Sequence, residues 1–539
     1  MALEKEHDEA TFSLKDAAPL GKWRFGVAAL AGVGISLLAF VLYVMTLAPT
    51  VLPYSSPDLL DAAMLQVQVA VLGISHPTGY PTYLMLSHLF TYLPVGDVAY
   101  RANLASAAWA ALAVLVVYAA GLLLSRRVAA AAVGALTFGL GTALWSQAVI
   151  AEVYTLNALF LALTVLALLF WREHRRDCYL LISALLTGLC LTNHLTSGLL
   201  LPASLLYVGL VDWRKLLEWR LMLKAAGLFF LGLTPYLYLP VRAWMNAPFE
   251  GNNPTNLERF WYIVSGGNLT GTFFAFGPAE LPGRLAFYWG NLMDNMNPLV
   301  VMVTLAGAAA MFFRDRAGAG LFGFLFFGWL FYSLGNDIPD IHLYFIPTYL
   351  VLCLWAALGF GTLLELAGSL LAGLPRVPMG LVLSVLSVGL LLLPLSSVRA
   401  KYAENDMSDA YLGRERIEAV ADNAARGATI LHHRSELWYM VLVEERRRDL
   451  TLVDPFWHNR DIGYADIVWP DDIDLPTTDR RYGTDDFSGV TAARKAAEKG
   501  PVYILEEDGI SPAGLYDAGW TTTRVEGALY ELIPPGRKP

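Results

Sequence analysis

The stretch NLASAAWAALAVLVVYAAGLLL, residues 103–124, followed closely by Arg126 and Arg127, decides how the rest of the chain is read. It holds no charged residue over a length that crosses a bilayer as a helix, since about 30 Å of hydrocarbon takes about 20 residues. The same ruler finds comparable apolar blocks at roughly 25–48, 128–150, 154–171, 178–193, 195–211, 225–241, 297–313, 318–335, 343–368 and 379–398. Composition agrees: the 539 residues are 56% hydrophobic and 16% charged, with mean hydropathy +0.48, whereas soluble domains carry about 25% charged residues. The reading is a polytopic α-helical membrane protein with about eleven transmembrane helices.

Basic residues orient the spans, because Lys and Arg resist translocation. They stand at Lys5, Lys15, Lys22 and Arg24; at Arg126 and Arg127; at Arg172, Arg175 and Arg176; at Arg214, Lys215, Arg220 and Lys224; at Arg314 and Arg316; and at Arg376. The intervening short loops near 150, 194 and 336–342 hold neither Lys nor Arg. This alternation predicts a cytoplasmic N-terminal tail (1–24), a membrane domain (25–398) and an extracytoplasmic soluble domain (399–539). The first apolar block exceeds a signal-peptide h-region and reads as an uncleaved span. Two outer loops are long, 49–102 and 242–296; loops of that length carry structure or function of their own. The first predicts two short helices, over 58–72 and from Pro81, lying along the membrane surface.

Residues 399–539 hold most of the acidic residues and nearly all of the net charge of −9, which gives no reason to expect nucleic acid as a partner. The three cysteines fall in or beside apolar segments, so the tail has no disulfide framework. Within the tail, a polar helix (403–425), a strand (428–433), a helical run to Glu445 and strands at 450–454 and 501–506 predict a small α/β domain. No phosphate-binding glycine loop or Cys/His metal spacing accompanies it.

Ionisable groups at membrane depth are costly and mark candidate functional sites. They crowd the outer span ends: Tyr54, Asp58, Asp61, His76, His88, Asp97 and Arg101 in the first loop, Glu152 in WSQAVIAEVYTLN, His194, Arg242 in PYLYLPVRA, and Asp337, Asp340 and His342 in GNDIPDIHLY. Individually these residues also suit plainer roles: Asp58 as a helix cap, His194 in a bond between spans, Arg242 snorkelling to the interface. Together, carboxylates, histidines and an arginine at headgroup level suit sugar transfer from a lipid-linked phosphate, with a carboxylate taking the acceptor's proton.

The strings LGISHPTGYPTYLMLSHLFTYLPVGDVAYRANLASA (72–107), WSQAVIAEVYTLNALF (145–160), LTNHLTSGLLLPA (191–203), YLYLPVRA (236–243) and DIPDIHLYFIPTYL (337–350) closely resemble the bacterial DUF2723 family, whose eukaryotic relative is a membrane protein O-mannosyltransferase. The resemblance covers the membrane part and implies a GT-C-like glycosyltransferase fold, a polyprenyl-phosphate sugar donor, a protein or glycan acceptor and, for this chain, a multi-pass place in a bacterial inner membrane. It also implies an acidic residue in the first outer loop, within an Asp-Ser-x-Glu element. Counted back from His76, that aspartate falls on Asp61 and the glutamate on Met64. Either Asp61 works without the second carboxylate, or the Asp58/Asp61 pair replaces the element, or activity has been lost.

The expected roles are Asp61 as general base with Asp58 as its alternate, and His76, Glu152, His194 and Arg242 around the donor. Tyr80, Arg101, Asp337 and His342 are expected near the acceptor or in the loops around it. No cofactor or metal is required when the donor is a lipid monophosphate. A transporter or lipid handler, and an inactive binding scaffold, remain the alternatives; transporters favour midplane polar groups and internal repeats, and neither is found here.

Overall fold

The computed structural model describes residues 22–53, 59, 61–248, 254–267, 272–372, 378–433, 436–453, 489–506 and 513–536. Among the described residues eight helices are long and apolar enough to span a membrane, and two bent pairs pass the same test jointly. With the shorter helix Cys178–Leu191 they account for all eleven apolar blocks of the sequence. The first part of the chain runs α1 (Lys22–Met45), α2 (Ala62–Val71), α3 (Pro81–His88), α4 (Val98–Ser125), α5 (Val128–Gly139), α6 (Thr142–Ala148) and α7 (Tyr154–His174). The third expected span is broken: α5 and α6 meet at 61°, with Leu140 and Gly141 between them. Leu281–Asn295 and Pro298–Arg314 meet at 109°, with proline suited to the first turn of the second.

Helix ends follow their residues. The Asp97 carboxylate accepts from Tyr100 N at 2.8 Å to start α4, and Asp315 does the same for Gly318 N at the head of Arg316–Gly335. Backbone-close packing rests on small residues, as expected where apolar burial does not favour helix over lipid. A Cβ on Gly188 would stand 2.3 Å from the Phe229 carbonyl oxygen, and one on Gly307 1.9 Å from that of Trp355.

The bundle's two ends differ. One carries ion pairs: Arg126 with Glu173, Arg172 with Asp315, Lys215 with Asp177 and Arg314 with Glu365. The other carries α2, α3 and the C-terminal sheet. Five strands, β1 (Thr429–Leu431), β2 (Thr451–Val453), β3 (Val502–Leu505), β4 (Thr521–Glu526) and β5 (Leu529–Ile533), lie in the order β2-β1-β3-β5-β4. β1 is parallel to β2 and β3, with Thr429 opposite Thr451 and Val502, while β5 is antiparallel to β3 and β4. Side chains alternate between faces: Ile430, Leu452, Tyr503 and Leu505 pack with Ile417, Val420 and Leu437, and Leu431, Val453 and Ile504 pack with Ala493, Leu515 and Trp520. The β4–β5 hairpin was not expected from the sequence; Thr521–Glu526 is largely exposed and polar, so no apolar run marks it.

Helix α2 corrects one expectation. Rather than lying half-exposed on the membrane, it is buried from Ala62 to Val69. Leu65 and Val69 join the bundle core, whereas Met64 and Val67 join the cluster of Ile417, Leu437 and Trp438 below the sheet. The sheet domain is tied down beside it. Arg414 bonds Asp97 at 3.0 Å and Glu444 at 2.5 Å, Ala99 N donates to the Tyr439 hydroxyl at 3.0 Å, and Met407 N donates to Thr46 O at 3.0 Å.

Candidate active site

The site is built from turns at this second end. Asp61 occupies the position before α2, where an aspartate ordinarily caps; its side chain makes no capping hydrogen bond. It faces His76 instead, with Oδ2 3.4 Å from Nε2. The chain returns His76 to Asp61 by ending α2 at Leu72 in the left-handed region and turning again at Gly79, φ 85°. A Cβ at Gly79 would also press on the side chains of Leu239 and Ile263, at 3.0–3.1 Å, so glycine fits there on both counts. Tyr80 then leads into Pro81, the first residue of α3, and its hydroxyl lies 3.2 Å from the same His76 nitrogen.

Glu152 comes from the α6–α7 connection and is 5% exposed. Its backbone N–H donates to the Ser106 hydroxyl at 3.0 Å, and its Oε2 accepts from Val153 N at 3.2 Å. Burial, with the charges of Asp61 and Asp340 nearby, pushes its carboxyl well above the ordinary range. His194, in the turn after Cys178–Leu191, is held by Thr196 Oγ1 at 2.7 Å, and burial lowers its pKa to about 4. Its ring lies among those of Tyr80 (6.4 Å), Tyr154 (5.5 Å) and Tyr344 (5.2 Å).

Tyr154, and Asp340, to which the sequence assigned no role at the site, complete the arrangement. Tyr154 donates from its hydroxyl to Asp340 Oδ2 at 2.5 Å. Burial first, then the charge of Asp61, raises Asp340 to about 6, although the Tyr154 bond favours the ionised form. A cavity open to solvent lies beside these residues, lined by Pro77, Tyr80, His194, Phe273, Tyr332, Ile338 and Tyr344 among others. The signal for Asp340 was its place in GNDIPDIHLY, which does not distinguish it from Asp337; Tyr154 lies inside WSQAVIAEVYTLN.

Asp61, His76, Tyr80, Glu152 and His194 therefore gather as a group. Asp337 is exposed, and its backbone N–H donates to Thr272 O. His342 is half-buried and contributes a charge interaction to Asp340. Arg242, expected at the donor phosphate, spends its Nε on the Leu72 carbonyl at 2.7 Å and one terminal nitrogen on that of Val71 at 3.1 Å. With Tyr238, whose hydroxyl donates to Gly73 O at 2.7 Å, it clamps the segment that leads to His76. Arg101 is likewise committed to the carbonyls of Thr91, Val95 and Gly96. Asp58 and Tyr54 lie outside the described residues. Met64 is turned into the apolar cluster below the sheet. Among the described residues no three His, Cys, Asp or Glu side chains group closely enough to hold a metal ion.

The fold is that of a multi-pass membrane protein with a GT-C-like helical bundle. ArnT from Cupriavidus metallidurans, in a crystal structure bound to undecaprenyl phosphate, superposes with a TM-score of 0.56 at 14% identity over 93% of this chain and 97% of that one. Its apo form gives 0.53 at 13% identity over the same shares. Residues 61–217 match the family model for the protein O-mannosyl-transferase TMEM260 N-terminal domain. The chain is similar to protein O-mannosyl-transferase TMEM260 of Mus musculus, 32% identical over 258 residues, which are 45% of this chain and 35% of the mouse protein. It is also similar to the tmem260 protein of Dictyostelium discoideum, 22% identical over 318 residues, 53% of this chain and 38% of that one. The chain thus spans little more than a third of the length of these relatives.

Proposed function

We propose that the chain is a glycosyltransferase that moves a sugar from a polyprenyl-phosphate donor to an acceptor hydroxyl on the extracytoplasmic face. The observation that carries this reading is Asp61 set against His76 instead of capping its helix, beside an aromatic-walled cavity at one end of a GT-C bundle. The relatives named as O-mannosyl-transferases support a mannosyl group and a protein acceptor. The ArnT complex supports a lipid-phosphate carrier. The loop charges support a cytoplasmic N-terminus and an outward-facing sheet domain.

In this reading His76 orients Asp61, and the Asp61 carboxylate takes the acceptor's hydroxyl proton as the oxygen attacks the anomeric carbon. The new C–O bond forms while the bond from that carbon to the phosphate oxygen breaks, and the lipid phosphate leaves with the electron pair. A single displacement of this kind inverts the anomeric centre. Burial pushes the Glu152 carboxyl toward its neutral form, which limits negative charge beside the base. Tyr80, His194 and Tyr344 supply flat faces and polar edges along the cavity.

The test is to incubate the purified full chain with a labelled short-chain polyprenyl-phosphate mannose and a hydroxyl-bearing peptide. Labelled peptide that is lost with Asp61→Asn supports the reading. A wild-type protein that binds the donor but never turns it over refutes it in favour of a binding scaffold.

A further inference from the structure

The resemblance places a second carboxylate at position 64, where this chain has a buried methionine packed away from the site. Asp340 enters the site from the turn ahead of the span Ile341–Leu371. It lies between Ile338 and Tyr344 in sequence, and both of those line the cavity. Tyr154 fixes Oδ2, and the Asp340 backbone N–H also favours the ionised carboxylate. The Tyr154 ring packs against His194 and Tyr344, both of which line the cavity. No Lys or Arg lines that cavity among the described residues; aromatic residues, His194, Thr78 and Thr196 do.

Resting on the sugar-transfer reading, we propose that Asp340 binds the donor's sugar ring, its Oδ1 accepting from a ring hydroxyl while Tyr154 holds the carboxylate plane. A sugar offers hydroxyl donors at fixed positions around a face of C–H bonds, which suits one anchored carboxylate beside tyrosine and histidine rings. A charged acceptor discriminates strongly, because an analogue lacking the matching hydroxyl leaves it buried and unpaired. Asp340 then differs in role from Asp61: it selects and seats the donor, and it removes no proton.

The experiment measures binding and transfer separately, using short-chain polyprenyl-phosphate mannose and its 2-, 3-, 4- and 6-deoxy analogues. Wild type is expected to bind one analogue at least ten-fold more weakly than the parent. Asp340→Asn and Asp340→Ala are expected to bind the parent about ten- to a hundred-fold more weakly and to treat that analogue and the parent alike. Tyr154→Phe should show a smaller loss of the same selectivity. An Asp340 variant that binds the parent as wild type does, or that weakens toward every donor equally while keeping the selectivity, overturns the proposal. Selective binding without transfer by wild type refutes the glycosyltransferase reading and leaves the Asp340 assignment supported, so the two failures are distinguishable.

Discussion

Met64→Glu restores the carboxylate that the resemblance places one helical turn after Asp61, and its outcome follows from where Met64 points. Met64 is 3% exposed, against Val67, Ile417, Leu437 and Trp438. A glutamate there forfeits about 1.5–3 kcal/mol of apolar burial. It also buries a carboxyl without a partner, which costs about 1–3 kcal/mol even when protonated. The expected sum is about 2.5–6 kcal/mol, falling on the contact that holds the sheet domain against α2. Tryptophan fluorescence on heating, together with limited proteolysis between the bundle and the sheet, reads this as a melting point several degrees lower and faster cleavage. Met64→Leu, which keeps volume and polarity, should cost less than about 1.5 kcal/mol. A Met64→Glu protein that melts like wild type and transfers sugar faster would show that position 64 faces the site, and would refute this account of α2.

Because burial pushes the Glu152 carboxyl toward its neutral form, Glu152→Gln should keep most of the transfer rate, whereas Glu152→Ala, which opens a buried space beside Asp61, should lose at least ten-fold in kcat. The linkage has a definite sign: a folded-state pKa raised above the unfolded one disfavours folding as pH rises past the unfolded value. Glu152→Gln should therefore melt higher than wild type at pH 7, with the gain vanishing near pH 4; an equal gain at both pH values would contradict the raised pKa. Gly188→Val would drive a side chain into the Phe229 carbonyl and should cost more than about 3 kcal/mol or prevent folding, as a loss of monodisperse protein on size exclusion.

How far the sequence could be read follows from the range of the forces involved. The spans were legible because hydrocarbon demands long apolar runs, and His76, Glu152 and His194 because polar residues stand out in them. The break between α5 and α6 was hidden, since LGT interrupts an otherwise apolar run without adding charge. The burial of α2 was hidden for another reason: half of its partners, Ile417, Leu437 and Trp438, lie some 350 residues later and meet it only once the sheet domain docks. Arg242 looked like a phosphate ligand because its carbonyl partners, at positions 71 and 72, are joined to it only by the fold. Asp340 could not be separated from Asp337 by composition; the Tyr154 hydroxyl makes the distinction.

The central claim is that Asp61 takes the acceptor proton in a site facing His76. The most direct measurement is the single-turnover transfer rate of Asp61→Asn, with the donor Kd determined on the same sample. Loss of a general base predicts a fall of about 10^2–10^4 in rate with the Kd nearly unchanged. A rate within a factor of two of wild type would contradict the claim.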